Sequence, residues 1–185
     1  MADFTVSTDV DALMRSADNA AIKSQIGIFE AQPRIDGYIY VTAQTDSVSG
    51  TYAFQHNGAD GATGICYSVD GGSPVYTACP ADTYTGIDVT AKYSATQNIT
   101  FWAASSSTSG RVGDITYVNF QNLQLTHVDV SNATALTHLQ LYGNNLTHVD
   151  VSKNTALTYL GLGNNNLTSL NLSNNPALSS VDVGN

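Results

Sequence analysis

The end of this chain restates one phrase six times: LTHVDVSNATA, LTHLQLYGNN, LTHVDVSKNTA, LTYLGLGNNN, LTSLNLSNNPA and LSSVDVGN, over residues 125–185. Half-units of eleven and ten residues alternate, so the full period is 21 residues. A unit of that size cannot bury its own apolar side, so successive units must stack and cover one another as a solenoid. In each half-unit apolar residues recur at positions one, four and six, as in Leu136, Leu139 and Leu141. The last two flank a single outward residue, the alternation of a short strand. Stacked turns would lie about 4.8 Å apart and align equivalent residues in ladders. The asparagine that follows falls at a turn, where its amide can satisfy backbone groups left unpaired by a tight bend. Both halves obey the same rule, so strands are expected on two sides of a thin, flattened coil with almost no helix.

The frame begins before the obvious copies. Ile115, Val118 and Phe120 hold the three apolar positions, and Leu125 follows after ten residues. Complete units then run 115–135, 136–156 and 157–177, with a partial one at 178–185. The first carries Leu123 and Ala133 where later units carry Asn144, Asn154, Asn165 and Asn175. A degenerate first turn is the mark of a capping repeat joined to whatever precedes it. Leu136/Leu139/Leu141/Asn144/Leu146 and Leu157/Leu160/Leu162/Asn165/Leu167 fit LxxLxLxxN at every key position. The pattern resembles leucine-rich repeats of the irregular 21-residue class, over about seventy residues. That resemblance implies a protein-interaction or recognition module. The repeats depart from the family in their small number and in having no recognisable cap after Val181-Asp182-Val183. The uncovered Leu178, Val181 and Val183 would then call for neighbouring copies.

From Gly37 to about Asp114 the period drops to two. GYIYVTAQ, GTYAFQHN, GICYSVD, PVYTACP, GIDVTAKYSA and NITFWAAS read as strands separated by Gly, Asp, Asn and Ser turns. Six short strands at this spacing indicate an antiparallel β-sandwich or a jelly-roll-like relative. Trp102, the single tryptophan, sits within an apolar strand and reads as a core anchor. Cys66 and Cys79 flank a hairpin turn at Asp70-Gly71-Gly72, which would set them nearly opposite each other. They form either a disulfide or two buried free thiols, and the compartment argument favours the thiols.

Residues 1–30 form a third piece, expected to be a short helical anchor. Ser7 or Thr8 can cap a helix through Val10, Leu13 and Met14; Ser16 can cap a second, which stops at Gly27. Ala17, Ala20, Ala21 and Ile22 give the second helix a small-residue face, with Ile26 at its end. Such helices bury little alone and make sense as a docking or trimerising base. The start TVSTDVDALMRSADNAAIKSQIGI resembles a segment near the N-termini of tailed-bacteriophage fibre and other virion proteins. Ser7, Thr8, Asp9, Asp11, Leu13, Ser16, Ala17, Asp18, Ala20, Ala21, Lys23, Ile26 and Gly27 carry the match. The resemblance implies attachment to a virion, usually as a homotrimer, with more distal domains displayed outward.

Charge and composition remove several classes. Six basic residues oppose fifteen acidic ones and are scattered, so no patch exists for counterion release from nucleic acid. No apolar run reaches the length of a membrane span, so membrane insertion is not expected. The N-terminus lacks the basic start and apolar stretch of a signal peptide, which places the chain's origin in the cytoplasm, where virions assemble. No nucleophile motif, phosphate-binding loop or cysteine cluster is present, and Glu30 is the single glutamate. His56 in FQHNGADG reads as a turn residue. Neither catalysis nor a cofactor is expected.

The outward positions of the repeat form two faces. One carries Tyr117, His138, Tyr159 and Ser180 beside Asn119, Gln140, Gly161 and Asp182; Tyr117, His138, Tyr159 and Gln140 are the candidate binding ladder for a glycan or protein. The other carries His127 and His148 beside Asp129 and Asp150, the right ligand types for a metal. A flat ladder does not converge on one point, however, so no metal is expected. The expectation is therefore a mainly β chain with three parts: a helical anchor (1–30), an antiparallel β-sandwich (31–114) and a short leucine-rich-repeat solenoid (115–185). Its expected role is a virion structural protein, a capsid decoration or short fibre. The runner-up is a bacterial surface leucine-rich adhesion module. A weaker third, a glycan-processing enzyme, would require a convergent carboxylate pair in the sandwich.

Overall fold

The computed structural model describes residues 39–43, 50–69, 74–89, 97–105 and 114–184. The expected helical anchor, with Val10, Leu13, Met14, Ala17, Ala20, Ala21 and Ile26, and the turn at 70–72 lie outside the described residues. Within them the chain is mainly β, with two sheets of five and six strands and a single 3-10 turn at Ala59–Gly61.

All six candidate strands of the middle region are present: β1 (Ile39–Ala43), β2 (Gly50–His56), β3 (Gly64–Val69), β4 (Val75–Ala78), β5 (Thr85–Val89) and β6 (Gln97–Ala104). They pair only antiparallel. In the first sheet β4, β3, β6 and β1 lie in that order; in the second β2 pairs with β5. Alternation decides which side chains face the space between the sheets. On β6, Ile99, Phe101 and Ala103 enter the main core, while Trp102 and Ala104 join Cys66 in a separate cluster beside Tyr40 and Tyr76. Trp102 is therefore buried, but away from the main core it was expected to anchor. Cys66 pairs across from Trp102 in this second cluster, whereas Cys79 lies in the main core. The two sulfurs belong to different clusters, and both cysteines are buried free thiols. Burial pushes the Cys66 thiol up to about 11 and raises Cys79 as well.

The repeat is grafted onto both sheets by its first turn. β7 (Ile115–Asn119) adds to the second sheet, antiparallel to β2 on one side. β8 (Leu125–Asp129) adds to the first sheet, antiparallel to β1. One core then runs from Ile39 to Leu162 without a break at residue 114. Phe120 is its hinge point, with ring centroids 5.1 Å from Tyr52, 5.1 Å from Phe54 and 5.5 Å from Phe101.

Beyond that turn the second sheet grows by parallel strands, β9 (His138–Gln140), β10 (Tyr159–Gly161) and β11 (Ser180–Asp182). Val118, Leu139, Leu160 and Val181 are successive partners, one period apart. Side chains reinforce each step: the hydroxyls of Thr137, Thr158 and Ser179 donate to the carbonyl of the preceding turn at 2.9, 3.0 and 3.1 Å. The asparagines act as expected. Asn144 Nδ2 donates to Phe120 O and Leu141 O, while its Oδ1 accepts from the amides of Leu123 and Leu125. Asn165 Nδ2 likewise donates to its own turn, at Leu162 O, and to the one before, at Leu141 O, whereas Asn154 and Asn175 each donate twice to the preceding turn. The position after each strand is left-handed in three successive turns, at Asn122 (φ 57°), Gly143 (φ 69°) and Asn164 (φ 52°). Glycine adopts that conformation freely and asparagine more readily than most residues, which suits the residues found there.

Strands do not form on two sides of the stack. After β8, the second half-units carry no strand among the described residues. Their backbone is committed within each turn: Asp150 and Asn171 accept the amides of Ser152 and Ser173. The amides of Asn154, Leu157, Asn175 and Leu178 donate three residues back. The first turn has the same local bonds, at Asp129 with Ser131, yet its β8 forms because β1 lies beside it. Among the described residues the later half-units have no such antiparallel partner and are tied to the preceding turn by single bonds, Asn145 N–H to Leu125 O and Asn166 N–H to Leu146 O. At the far end of the described stack Val181 and Val183 are exposed, by 41% and 57%.

Candidate functional site

The second sheet presents a long outer face on which sandwich and repeat residues share rows. β2, β7, β9, β10 and β11 place Gln55, Tyr117, His138, Tyr159 and Ser180 in one row. The adjoining row is Ala53, Asn119, Gln140, Gly161 and Asp182. The structure thus brings together all four residues of the candidate ladder. Tyr117 and His138 have ring centroids 5.9 Å apart, and His138 and Tyr159 stack at 6.0 Å with planes 17° apart. Tyr84, from the segment before β5, packs edge-on against Tyr117 at 4.2 Å. Burial and the adjacent Tyr84 hydroxyl push Tyr117 up to about 12.

Gln140 is held by its neighbours. Its Oε1 accepts from the Tyr117 hydroxyl and from Gln121 Nε2. With the oxygen occupied, the two amide hydrogens on Nε2 point the other way, because the carboxamide is planar. On the far side Asp182 Oδ1 accepts the Gly184 amide at 3.0 Å. Between Gln140 and Asp182 stands Gly161, and together with Gln121, Tyr142 and Tyr159 they line an open groove of about 250 Å³. The two glycines on β10 and just beyond make room for rings. A Cβ on Gly161 would meet Tyr159 Oη at 3.2 Å, and one on Gly163 would meet the backbone oxygen of Gly184 at 2.5 Å and Tyr142 Cδ2 at 3.1 Å. Asn164 Nδ2 donates to the Tyr142 hydroxyl.

Sequence reasoning missed Tyr84 and Tyr142. Nothing in the pattern signals Tyr84, which reaches the ladder only through tertiary packing. Tyr142 was legible in principle, since it stands two residues past Gln140 and one period before Gly163.

The other singled-out residues have structural duties. Asp129 and Asp150 accept the amides of Ser131 and Ser152 at 2.9 Å, closing the turn after each half-unit. Ser152 holds the Asp150 carboxyl below the usual carboxylate range. His127 and His148 are exposed. Among the described residues no three His, Cys, Asp or Glu side chains gather as metal ligands. His56 is not a turn residue but a fully buried strand end. Gly58 N–H donates to its Nδ1 at 3.1 Å, so Nε2 carries the proton donated to Cys79 O at 3.1 Å. No helix among the described residues is long and apolar enough to cross a membrane.

A scan against protein-family models found no match, and a search of curated proteins found none either. Among solved structures, one similar chain is the functional domain of InlJ from Listeria monocytogenes, described as including a cysteine ladder. It is 28% identical, over 40% of this chain and 18% of that one, with a TM-score of 0.36. A likeness of that extent and score carries no weight for fold or function. The chain spans under a fifth of that neighbour's length, and its own two cysteines lie outside the repeat.

Proposed function

We propose that this protein is a non-enzymatic recognition module, a short leucine-rich-repeat stack seeded on a β-sandwich and displayed at a surface. One observation carries the reading: the outer face of the second sheet runs unbroken from β2 to β11 with its aromatic row in register. Elsewhere on the repeat the asparagine and aspartate side chains of Asp129, Asn144, Asp150, Asn154, Asn165 and Asn175 are committed to holding turns together. On this face Tyr159, Gln140 Nε2 and Asp182 are directed outward with bonding capacity left over. That is the distribution of a surface kept for a partner. To test it, fluorescently labelled full-length chain is incubated with intact host cells. Retention should fall at least tenfold with a His138→Ala/Tyr159→Ala double variant and stay unchanged with Thr51→Ala, on the same sheet. Equal retention of all three would overturn the reading.

The bearer of the module is proposed to be a virion, on the strength of the residues 7–27 that resemble phage structural proteins. In this reading residues 1–30 attach three copies of the chain to capsid or tail proteins, and the repeat points outward. Particles purified by density gradient should carry the full-length chain and not a version lacking residues 1–30. Undiminished association of the shortened chain would remove the virion assignment without touching the recognition module.

A further inference from the structure

We propose that the groove between Tyr142 and Tyr159 is a saccharide subsite, which takes one pyranose ring of a neutral glycan. It stacks on Tyr159 and is hydrogen-bonded between Gln140 and Asp182. This rests on the recognition reading above and specifies the ligand class of that face.

The aromatic row ends abruptly. Tyr159 is stacked by His138 on one side, but its neighbour on the other side is Ser180. One face of the Tyr159 ring is consequently left uncovered by the row. A sugar offers such a face its axial C–H groups while keeping its hydroxyls at the rim, so a tyrosine satisfies both parts. Gly161 interrupts a row otherwise occupied by Asn119, Gln140 and Asp182, and the hydroxyl end of the Tyr159 ring leans over it. A Cβ there would come within 3.2 Å of Tyr159 Oη, so a branched side chain would push the Tyr159 ring out of its place.

The polar rim is set for hydroxyls. Gln140 is fixed as a donor by the two bonds its oxygen accepts. Asp182 is fixed as an acceptor by the Gly184 amide. They sit one strand to either side of Gly161, a span of about 10 Å. A ring that places one hydroxyl toward each wall therefore meets a donor and an acceptor at once, without rearrangement of either. Tyr142 closes the groove along the strand direction, its hydroxyl anchored by Asn164.

Charge and lining select against other ligands. Asp182 is the one charged residue of the groove, and no lysine or arginine lines it. The whole chain carries a formal net charge of −9. A sialylated or uronic-acid sugar would bring a carboxylate to an acidic site. A peptide would find no aliphatic slot for an anchoring side chain, since the walls are tyrosines, amides and glycine.

The test is a binding measurement with the full-length chain and immobilised oligosaccharides. β-1,4-glucan, α-1,4-glucan and β-1,4-mannan hexamers serve as neutral probes, with sialyllactose and oligogalacturonate as acidic ones. At least one neutral probe should bind, and Tyr159→Ala and Gly161→Val should each weaken it about tenfold or more, a loss of about 1.4 kcal/mol. Tyr159→Phe, which keeps the ring, should retain binding, as should Thr51→Ala; circular dichroism verifies that each variant is folded. Preference for the acidic probes, or neutral binding indifferent to Tyr159→Ala, would overturn the subsite. If no saccharide binds while host cells still retain the chain through His138 and Tyr159, the ligand class is wrong and the recognition face stands. If neither binds, both readings fall.

Discussion

The sandwich and the repeat stack bury their apolar residues by opposite means. In the sandwich, partners come from far apart, as in Ile39 with Phe101, and run antiparallel around a cluster of rings from Tyr52, Phe54 and Phe101, which Phe120 of the repeat joins. In the stack, every turn pairs with the one 21 residues before it, in parallel, over a column of leucines. The first arrangement closes on itself. The second can be extended indefinitely but has no natural beginning, because a first turn would expose the apolar side that a previous turn should cover. The contrast teaches where a short run of parallel repeat strands obtains its start. Here β7 and β8 are at once the first turn of the stack and members of the two sheets, β7 between β2 and β9 and β8 at the edge beside β1, so the sandwich is the missing previous turn.

The sharpest way to break that comparison is at Phe120, which belongs to both regions. Phe120→Ala should cost about 4 kcal/mol, as expected for a large ring removed from a closed core. If the two regions share one core, denaturation followed by Trp102 fluorescence and by exchange of the Leu160 and Leu162 amides should still coincide. Separate midpoints would mean the stack stands alone. A smaller effect compares two asparagines within the stack. Asn144 makes four hydrogen bonds and Asn175 two. Asn144→Ala should therefore cost about 3 kcal/mol in urea denaturation and Asn175→Ala clearly less. Equal losses would show that position along the stack does not matter.

A gain is expected in the sandwich at Tyr52. Its hydroxyl is buried without a hydrogen-bond partner, and burial raises its pKa. Tyr52→Phe removes an unsatisfied polar atom from the ring cluster and should raise stability by about 1 kcal/mol. A loss instead would reveal a partner for that hydroxyl. The mildest effect is on pH dependence. Cys66 titrates near 9 when unfolded and near 11 in the folded chain, so between those values the unfolded state sheds the proton first. The contribution is complete below pH 9 and is lost as pH rises through 11. Cys66→Ala should flatten the fall in urea midpoint over that range; an unchanged slope would assign the alkaline sensitivity to other groups.

Much of the repeat could be read before its structure, because period and chemistry coincide at each position. The leucines, the turn asparagines and the left-handed Gly or Asn after each strand are all local requirements, visible in one unit and copied in the next. The outer row of Tyr117, His138 and Tyr159 follows from the same period. What could not be read arises from competition. Asp150 and Asn171 are outward-facing in the pattern, yet their side chains take amides of their own turns, and without a strand like β1 beside them their half-units form no strand. His56 sits in a stretch that looks like a turn, while the packed chain buries it between Gly58 and Cys79. Tyr84 is in no motif and reaches the binding face only by packing on Tyr117.

The sequence by itself determined the period, the residues that face inward and the side chains that stand in rows, since each depends only on spacing along the backbone. The tertiary structure decided which sheet each half of the first turn joins, that the two cysteines part company, and that Ser180 and Gly161 leave one tyrosine face open. Those outcomes depend on partners distant in the chain, and no local pattern encodes the register in which such partners meet.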